Sequence, residues 1–515
     1  KFFVFFYFFG NFAQTQKSTL IHFNLSLVIS VYSIYTYSSF NIFLLIMKRR
    51  DGYKAMYNID FSVPQTAYFI GIGGISMSGF AELLQTMGFT VSGSDRTESK
   101  ITRHLEGLGI KVVYEQKREN ITSNIDFIVY TAAISEDNPE YVRAKELGIP
   151  MMERASMVGQ VMKNYSTAIA VAGTHGKTST TSIASHILLE ADMDPTISVG
   201  GILPEIGGNI RVGRSHHFIT EACEYTNSFL KFFPTIGIIL NIEAEHLDFF
   251  KDLQDIRDSF RRFAELIPAE GTLIINSDIE NYEEITKGLA CQVITYSVDN
   301  KEADFSASDI EFDKMGCGSF TLLHNGTKMD HYTLSIVGKH NISNTLACLA
   351  MASLFGLTSE VCQNGLSKYK GTERRFELKG EYNGATIIDD YAHHPTEVRA
   401  TLISAKNYPH KTLWVAFQPH TYSRTKNFLT DFSDALSLAD KIVLADIYAA
   451  REKDPGDISS KDLAEQLKKS GKEVFYIGSL NDIKNFFEKN LMNDDLLITM
   501  GAGNIVEVGE ALLKQ

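Results

Sequence analysis

Residues 170–184 read AVAGTHGKTSTTSIA, an apolar run that leads through two glycines into a helix-like pattern. The apolar residues predict a buried strand over Thr167–Ala172, and the following pattern predicts a helix over Lys177–Glu190. A strand that enters a helix through a glycine-containing turn is typical of a phosphate-binding turn, because backbone N–H groups at the start of the helix bind anionic oxygens. This stretch therefore predicts an α/β unit with an anion site at its turn.

The residue types of the turn fit ATP. A lysine directly after the second glycine reaches the β- and γ-phosphates of a triphosphate, and the next hydroxyl residue ligates Mg²⁺. The strict Walker pattern also requires a glycine five residues before Gly176, where Val171 stands, so a plain strand-to-helix turn is the alternative. The strand before the turn and the helix after it favour ATP. The predicted ATP-binding residues are Gly173, Thr174, His175, Gly176, Lys177, Thr178 and Ser179.

Two later segments place metal-binding side chains after predicted strands. HHFITEACEYTNSF at 216–229 has Glu221 at the end of an apolar run, and GIILNIEAEHLDFF at 237–250 has His246 just beyond one. Open α/β sheets bind ligands at the carboxyl ends of their strands, and carboxylate and imidazole groups there can bind one or two Mg²⁺ ions. A helix cap or a surface position is the alternative for His246. The predicted metal ligands are Thr178, Glu221 and His246.

A second glycine-rich turn, GIGGISMSG at 71–79, lies nearer the N-terminus. Its glycines permit close approach of a pyrophosphate, and Asp95 follows 24 residues after Gly71. An NAD fingerprint would have glycine where Ser76 stands, which favours another pyrophosphate-bearing ligand over the cofactor of a nicotinamide oxidoreductase. The alternative is that the glycines serve strand-to-helix packing alone. The candidate binding residues are Gly71, Gly73, Gly74, Ser76 and Asp95.

Three polar segments mark the C-terminal part of the chain: GTERRFE at 371–377, TIIDDYAHHPTEV at 386–398 and FQPHTYSRT at 417–425. The last two follow predicted strands, and such loops tend to carry function because rigid elements position them. The paired arginines of the first segment could contact a phosphate across a domain boundary. Solvated surface positions are the alternative for all of these side chains. The candidates are Arg374, Arg375, Asp390, His393, His394, His420 and Arg424.

Composition indicates an ordinary multidomain protein of a reducing compartment. The 515 residues are 44% hydrophobic and 22% charged, and a chain of this length exceeds the size of a single core. A net charge of −13 provides no basic surface for nucleic acid. The five cysteines are odd in number and contain no C-x-x-C pair, so neither a disulfide framework nor a zinc site is expected. We expect a cytoplasmic protein.

The alternation of short β-rich runs with amphipathic stretches predicts an α/β fold with three domains. We expect an N-terminal Rossmann-like domain over 56–155, a central P-loop ATPase-like α/β domain over 156–372, and a C-terminal Rossmann-like doubly wound sheet over 373–515. Polar and apolar residues alternate around turn signals over 304–337, which predicts a β-rich insertion in the central domain.

The first 55 residues differ in composition from the rest, with no Asp or Glu before Asp51. The stretch 20–46 is long and apolar enough to span a bilayer, and basic residues at 48–50 would form a cytoplasmic anchor. Interruptions by Ser, Asn and Tyr favour an extension that is not part of the fold, from upstream translation or an unfolded segment. We therefore expect no stable membrane association.

Nine segments together resemble the Mur ligase family, in register from about Tyr68 to the C-terminus. They are GIGGISMSG, SGSD, GTHGKTS, NIEAEHLDFF, GKHNISN, GTERRFE, DDYAHHPTEV, FQPHTYSRT and TMGAGN. Nine ordered motifs are far more specific than any single one. The resemblance implies a UDP-sugar-binding domain, an ATPase domain and a C-terminal domain that closes over ATP and the amino acid. Residues 1–55 have no counterpart in the family.

The resemblance also implies an activity. It is the ATP-dependent formation of an amide between UDP-N-acetylmuramate and L-alanine through an acyl phosphate, in peptidoglycan precursor synthesis, with Mg²⁺ as cofactor. The glycine-rich turn at 71–79, with Asp95, would bind the UDP-sugar. His393, His394 and Arg424 would lie near the muramyl carboxylate and the amino acid. The implied catalytic residues are Lys177, Glu221, His246, Asn341, Asn344, Arg375 and Asp390.

Four positions depart from the commoner family pattern. Cys223 and Tyr225 replace Asp and Ser, Glu245 replaces Asp, and Glu373 replaces Gly. Two other functions stay open at this point. One is a related muramyl-peptide ligase that reattaches recycled peptide or adds a later amino acid. The other is a non-catalytic module that senses nucleotides through its two glycine-rich turns.

Overall fold

The computed structural model describes residues 57–131, 134–450 and 452–514, so the predicted extension and its candidate membrane span lie outside the described residues. Residues from Ile59 onward form one compact body in which three β-sheets carry the functional loops. Each sheet with its helices is called a unit below, numbered in chain order. Within the described ranges, no helix has both the length and the apolar character needed to cross a membrane.

The first sheet is Rossmann-like. Its strands, in the order β3-β2-β1-β4-β5, all pair in parallel. Phe69 and Ile70 of the central strand are fully buried, as expected for a parallel strand covered on both faces. The strands are β1 (Thr66–Ile70), β2 (Thr90–Ser94), β3 (Lys111–Val113), β4 (Phe127–Tyr130) and β5 (Met151–Glu153). The helices are α1 (Ile75–Thr86), α2 (Lys100–Gly107), α3 (Pro139–Leu147) and α4 (Arg154–Met162).

The second sheet has ten strands in the order β15-β14-β13-β12-β11-β10-β6-β9-β7-β8. The strands are β6 (Thr167–Ala172), β7 (Thr196–Leu203), β8 (Gly208–Arg211), β9 (His217–Ala222), β10 (Ile236–Ile239), β11 (Thr272–Asn276), β12 (Gln292–Ser297), β13 (Phe305–Phe312), β14 (Cys317–His324) and β15 (Thr327–Val337). The helices are α5 (Lys177–Glu190), α6 (Leu253–Ala264), α7 (Glu283–Thr286), α8 (Lys339–Leu354) and α9 (Ser359–Lys368).

Strands β6, β7 and β9 to β13 of this sheet pair in parallel, whereas β8, β14 and β15 are antiparallel to their neighbours. The predicted β-rich insertion corresponds to β13, β14 and β15, which extend the same sheet. Strand β6 lies between β9 and β10, so the loops that follow these three strands meet at one edge.

The third sheet has the order β16-β17-β21-β18-β19-β20, and β16 alone pairs antiparallel, with β17. Its strands are β16 (Glu377–Tyr382), β17 (Ala385–Asp390), β18 (Leu413–Phe417), β19 (Lys441–Ala445), β20 (Glu473–Gly478) and β21 (Leu496–Met500). The helices are α10 (Pro395–Ala405), α11 (Tyr422–Asn427), α12 (Leu429–Leu436), α13 (Ser460–Lys469), α14 (Leu480–Asn490) and α15 (Val506–Leu513).

The predicted α/β class with three doubly wound units is confirmed by these sheets. The domain boundaries near residues 155 and 372 fall between strands of different sheets, and the boundaries themselves stay predictions. Helix α4 begins at Arg154, close to the first boundary. A Cβ added at Gly159 of this helix would lie 1.9 Å from the carbonyl oxygen of Lys231, so α4 packs tightly on the second unit.

Candidate active site

The turn between β6 and α5 has a backbone that requires glycine. Gly176, the residue before α5, has a φ of +83°, in the left-handed region that favours glycine. A Cβ at this position would also lie 2.9 Å from the side-chain oxygen of Asn344 on α8. The turn therefore holds its N–H groups at the helix start and approaches α8 closely, as the predicted phosphate site requires.

Gly176→Ala is expected to lower ATP affinity by about tenfold, because relief of the left-handed strain and of the collision with Asn344 displaces the N–H groups that bind the phosphates. Isothermal titration with ATP measures the effect. Gly288→Ala is the matched control: Gly288 has a φ of +73° and open space around its Cβ position, so backbone strain occurs there without a collision. Equal ATP affinity in the two variants would contradict the assignment of the turn.

Lys177 is held firmly in this turn. Its ammonium group donates to the carbonyl oxygen of Gly173, to that of Thr174 at 3.0 Å and to Glu224 Oε2 at 3.0 Å. Burial by itself would lower the pKa of Lys177, but the neighbouring Glu224 carboxylate raises it above the ordinary value. The lysine is therefore a fixed positive charge at the phosphate turn.

A cavity of about 400 Å³ adjoins Lys177 and is lined by residues of all three units. Ile75 comes from the N-terminal turn, Gly200 and Gly201 from β7, and Tyr391 from the loop after β17. The cavity brings together predicted residues from segments far apart in the chain. These are Thr174, His175, Gly176, Lys177, Thr178, Glu221, His246, Arg374, Arg375 and His393.

Glu221 faces this cavity from the end of β9, and His246 faces it from the loop that follows β10. Glu221 Oε1 accepts the backbone N–H of Gly200 at 2.5 Å. Burial lowers the pKa of His246, so its imidazole is neutral near pH 7 and can act as a ligand. A different group, His175, Glu243 and His394, has its potential ligand atoms within 4.8 Å of one another. The predicted metal set of Thr178, Glu221 and His246 stays a prediction.

A second cavity, of about 270 Å³, lies on the other side of the turn. Asn341 and Asn344 of α8 line it and are joined by a 3.0 Å hydrogen bond from Asn344 Nδ2 to Asn341 Oδ1. Phe376 and Ala400 provide apolar walls. The other predicted residues in this lining are His175, Gly176, Ser179, Arg375 and Asp390.

The two adjacent arginines of the segment 371–377 have different environments. Arg374 donates to Asp389 Oδ2 at 3.0 Å and to the carbonyl oxygen of Gly501 at 2.6 Å, which ties it into the third sheet. Arg375 lines both cavities, and its guanidinium lies 3.9 Å from Glu397. Arg375 is thus the arginine available to a phosphate.

Asp390, at the end of β17, is buried and accepts the backbone N–H groups of Phe376 at 2.9 Å and Ala392 at 2.7 Å. Burial raises its pKa to about 6, although Arg375 opposes the shift. The stability that follows from a raised carboxyl pKa is present below the unfolded value of 3.8 and is lost as the pH rises through about 6. An ionised Asp390 therefore destabilises the fold at neutral pH.

Asp390→Asn is expected to become more stable relative to the parent by about 1.5 kcal/mol between pH 5 and pH 8. A pH-independent cost is added to this difference, because the amide NH2 group cannot accept one of the two backbone N–H groups. The amide stays neutral at both values, whereas the parent carboxyl ionises. Urea denaturation of both proteins at the two pH values measures the difference. A difference in denaturation midpoint that does not change with pH would contradict the raised pKa.

A third cavity, of about 340 Å³, lies beside His246 and contains Arg424 of α11 and Glu245. Arg424 donates from Nη2 to Glu245 Oε1 at 2.8 Å and from Nε at 3.1 Å, which joins the second and third units. Burial would raise the pKa of Glu245, but Arg424 lowers it to about 2. Glu245 and His246 line both this cavity and the one at Lys177, so Arg424 lies in an adjoining cavity.

The adjacent histidines His393 and His394 have different environments. His393 lines the first cavity, and burial lowers its pKa to about 4. His394 is 4% exposed and is the N-cap of α10, where Nδ1 accepts the backbone N–H of Thr396 at 3.4 Å. Its ring packs against Phe428 with centroids 4.9 Å apart. His394 has a packing role in addition to any role in substrate binding, which stays a prediction.

Four of the predicted UDP-sugar residues lie in the N-terminal turn and Asp95 follows β2 beside it, but none of the five lines the three cavities. The backbone N–H of Gly73 donates to Asp95 Oδ2 at 2.8 Å. Ser76 Oγ accepts from Arg154 Nη1 at 2.9 Å. Gly71 and Gly74 belong to the same turn, and Ile75 connects it to the first cavity. Their assignment to a UDP-sugar stays a prediction.

Sequence reasoning missed three charged residues of the site: Arg154, Glu224 and Glu397. Arg154 starts α4, Glu224 precedes a 3₁₀ segment over Tyr225–Lys231, and Glu397 lies in the first turn of α10. Glu397 Oε1 contacts His175 Nδ1 at 3.1 Å across two units. The quoted motifs contain Glu224 and Glu397, but no spacing rule identifies either one as a site residue. Glu224 precedes an irregular 3₁₀ segment, and the position of Glu397 depends on how α10 packs against the second unit.

Three family profiles match consecutive parts of the chain. They are the Mur ligase family, catalytic domain, over residues 66–166, the Mur ligase middle domain over 171–352, and the Mur ligase, glutamate ligase domain, over 374–503. The chain belongs to the Mur ligase family. The predicted family resemblance and the three-domain α/β class are thereby confirmed.

Relatives of this Mur ligase include proteins named UDP-N-acetylmuramate–L-alanine ligase. The relative from Agathobacter rectalis is 58% identical over 460 residues, which cover 89% of this chain and all of the relative. The relative from Caldanaerobacter subterraneus is 50% identical over 457 residues, which cover 89% of this chain and 99% of the relative. The crystal structure of UDP-N-acetylmuramate-alanine ligase from Thermotoga maritima has a TM-score of 0.74 at 27% identity and covers 87% of this chain and 98% of that one.

Proposed function

We propose that this Mur ligase joins L-alanine to the carboxylate of UDP-N-acetylmuramate at the expense of ATP, in the synthesis of peptidoglycan precursors in the cytoplasm. One observation carries the proposal: Lys177 of the phosphate turn faces a cavity with residues of all three units. Relatives that match nearly the whole chain and are named for this reaction support the choice of substrates.

The chemistry explains why ATP is needed. A carboxylate is a poor acyl donor because an oxide would have to leave. Its oxygen attacks the γ-phosphorus of ATP, ADP leaves, and the acyl phosphate forms. The neutral amine of L-alanine then attacks the acyl carbon, phosphate leaves with the former carboxylate oxygen, and the amine gives up a proton. The products are ADP, phosphate and an amide.

The nucleotide fits the two cavities that share the turn. In the proposed arrangement, N–H groups of residues 173–179 and the ammonium of Lys177 bind the phosphates. The second cavity would take the nucleoside between Phe376 and the asparagines of α8. Arg375 of the segment 371–377 lines both cavities and would pair with a phosphate. Fixed charges aimed at the phosphoryl oxygens make the largest contribution to the acceleration of such reactions.

The residues beside Lys177 fit a divalent cation. Thr178, Glu221 and His246 present hydroxyl, carboxylate and neutral imidazole groups, and a buried oxygen of Glu224 has no hydrogen-bond partner. Mg²⁺ would neutralise charge on the phosphoryl oxygens when it is bound. The substrate carboxylate and L-alanine would lie between His393 and Arg424. The N-terminal turn with Asp95 would hold the UDP-sugar.

An assay with UDP-N-acetylmuramate, ATP and single amino acids tests the function. We expect ADP release that depends on L-alanine, together with a product whose mass increases by one alanyl residue. Turnover with a preformed peptide in place of L-alanine would instead indicate a related muramyl-peptide ligase. Nucleotide binding without any ADP release that depends on an amino acid would indicate the nucleotide-sensing module.

A further inference from the structure

Glu224 is a buried carboxylate with one free oxygen at the phosphate turn. It is 2% exposed, and its partner Lys177 lines the 400 Å³ cavity. Its Oε2 accepts the hydrogen bond from Lys177, whereas Oε1 is buried without a hydrogen-bond partner. The free oxygen lies 3.8 Å from Nε2 of His246. A buried carboxylate oxygen without a partner is costly unless a ligand completes its surroundings.

Nucleotide binding would change the hydrogen bonds and the charge that surround the Glu224 carboxylate. A lysine ammonium has three donors, and those of Lys177 are directed at Gly173, Thr174 and Glu224. Lys177 must give up at least one of these bonds to contact a phosphate. If it leaves Glu224, a buried anion remains close to the negative phosphates, which is strongly unfavourable without another cation.

The surroundings indicate which cation can replace the ammonium. Thr178 and Glu221 line the cavity at Lys177, and they offer a hydroxyl and a carboxylate oxygen on the same side as the Lys177–Glu224 pair. Oxygen ligands of this kind suit hard divalent cations. The ring of Tyr225 packs on His246 with centroids 4.4 Å apart and keeps the imidazole next to Glu224. Desolvation raises the pKa of the Cys223 thiol, so this thiol stays neutral there.

We propose that Glu224 is a ligand of the divalent cation that accompanies the nucleotide, and that Lys177 occupies the cation's place until the nucleotide arrives. The inference rests on the proposed function, since it concerns the same site. It adds a residue outside the predicted metal set and an exchange of one cation for another. The lysine keeps the carboxylate paired in the free enzyme and is released to the phosphates when the metal takes over.

Electron paramagnetic resonance titration of the nucleotide-free full-length chain with Mn²⁺ tests this exchange. Lys177→Ala removes the competing charge and is expected to raise Mn²⁺ affinity about tenfold. Adding Glu224→Gln to Lys177→Ala should cancel the gain. Glu205→Gln is the matched control in the same background, because Glu205 faces His186 at 3.4 Å instead. It should leave the gain unchanged.

Three results would overturn the proposal. They are an unchanged or lowered Mn²⁺ affinity in Lys177→Ala, a gain that survives Glu224→Gln, and an equal loss of the gain in Glu205→Gln. Circular dichroism confirms that each variant is folded. If Lys177→Ala does not fold, Glu224→Gln alone is titrated with Mn²⁺ in the presence of ADP, where about a tenfold loss is expected and an unchanged affinity would contradict the proposal.

The Mn²⁺ titrations and the ADP-release assay can fail independently of each other. Failure of the Mn²⁺ titrations would leave ADP release that depends on L-alanine intact in the wild-type enzyme. Conversely, absence of that ADP release would remove the ligase function, while the Mn²⁺ results could still establish Glu224 as a metal ligand.

Discussion

Replacement of Lys177 by alanine is expected to lower the rate of amide formation by about a thousandfold, since a fixed charge at the transferring phosphoryl group is lost. The ammonium group is already at the turn, where two carbonyl oxygens and Glu224 accept its hydrogen bonds, so it needs to exchange only the Glu224 bond to reach a phosphate. Phosphate release that depends on L-alanine, measured at saturating ATP, gives the rate.

Lys301→Ala is the matched control for this prediction. Lys301 is an exposed lysine that, like Lys177, donates to two carbonyl oxygens, those of Val298 and Ala307, and it lines none of the three cavities. We expect it to keep the wild-type rate per folded molecule. If Lys177→Ala retained more than about a tenth of the wild-type rate, the loss of barrier stabilisation would be under about 1.4 kcal/mol and the role assigned to Lys177 would be wrong.

The elements with strong local patterns are those that the sequence predicts well. The strand Thr167–Ala172 and the helix Lys177–Glu190 agree with the predicted bounds at both ends. An apolar run buried on both faces and a helix that starts at a glycine turn are set by local residues. The short strand Met151–Glu153 and the edge strand Glu377–Tyr382 were not predicted, because three residues carry little periodicity and an exposed edge lacks an apolar face.

The candidate site was predictable where a side chain follows a buried strand. Glu221 lies at the end of β9 and His246 in the loop after β10, and parallel pairing of β9 and β10 with β6 brings both segments to the phosphate turn. Glu224 and Glu397 were not predictable in this way, because their positions depend on an irregular segment and on packing between units. The different environments of Arg374 and Arg375 likewise depend on which neighbour each one meets in the third sheet.

Arg424→Met is expected to destabilise the contact between the second and third units and to reduce ligase activity. The pair formed by Arg424 and Glu245 is almost fully buried, with side chains 10% and 8% exposed. Removal of one partner leaves an ionised carboxylate without compensation, and such a loss costs about 3–5 kcal/mol in a buried pair. Differential scanning calorimetry should show a lower unfolding temperature, and the third unit should become more sensitive to proteolysis.

The double variant Arg424→Met and Glu245→Gln separates the two roles of the arginine. With the carboxylate neutralised, no buried charge remains unpaired, so we expect the unfolding temperature to return to within a few degrees of the parent. If Arg424 also binds a substrate carboxylate, the double variant stays at least about tenfold slower than Glu245→Gln alone, because the loss of a charge-assisted hydrogen bond is not repaired. Recovery of both stability and rate would instead mean that Arg424 acts only by pairing with Glu245 and closing the third unit.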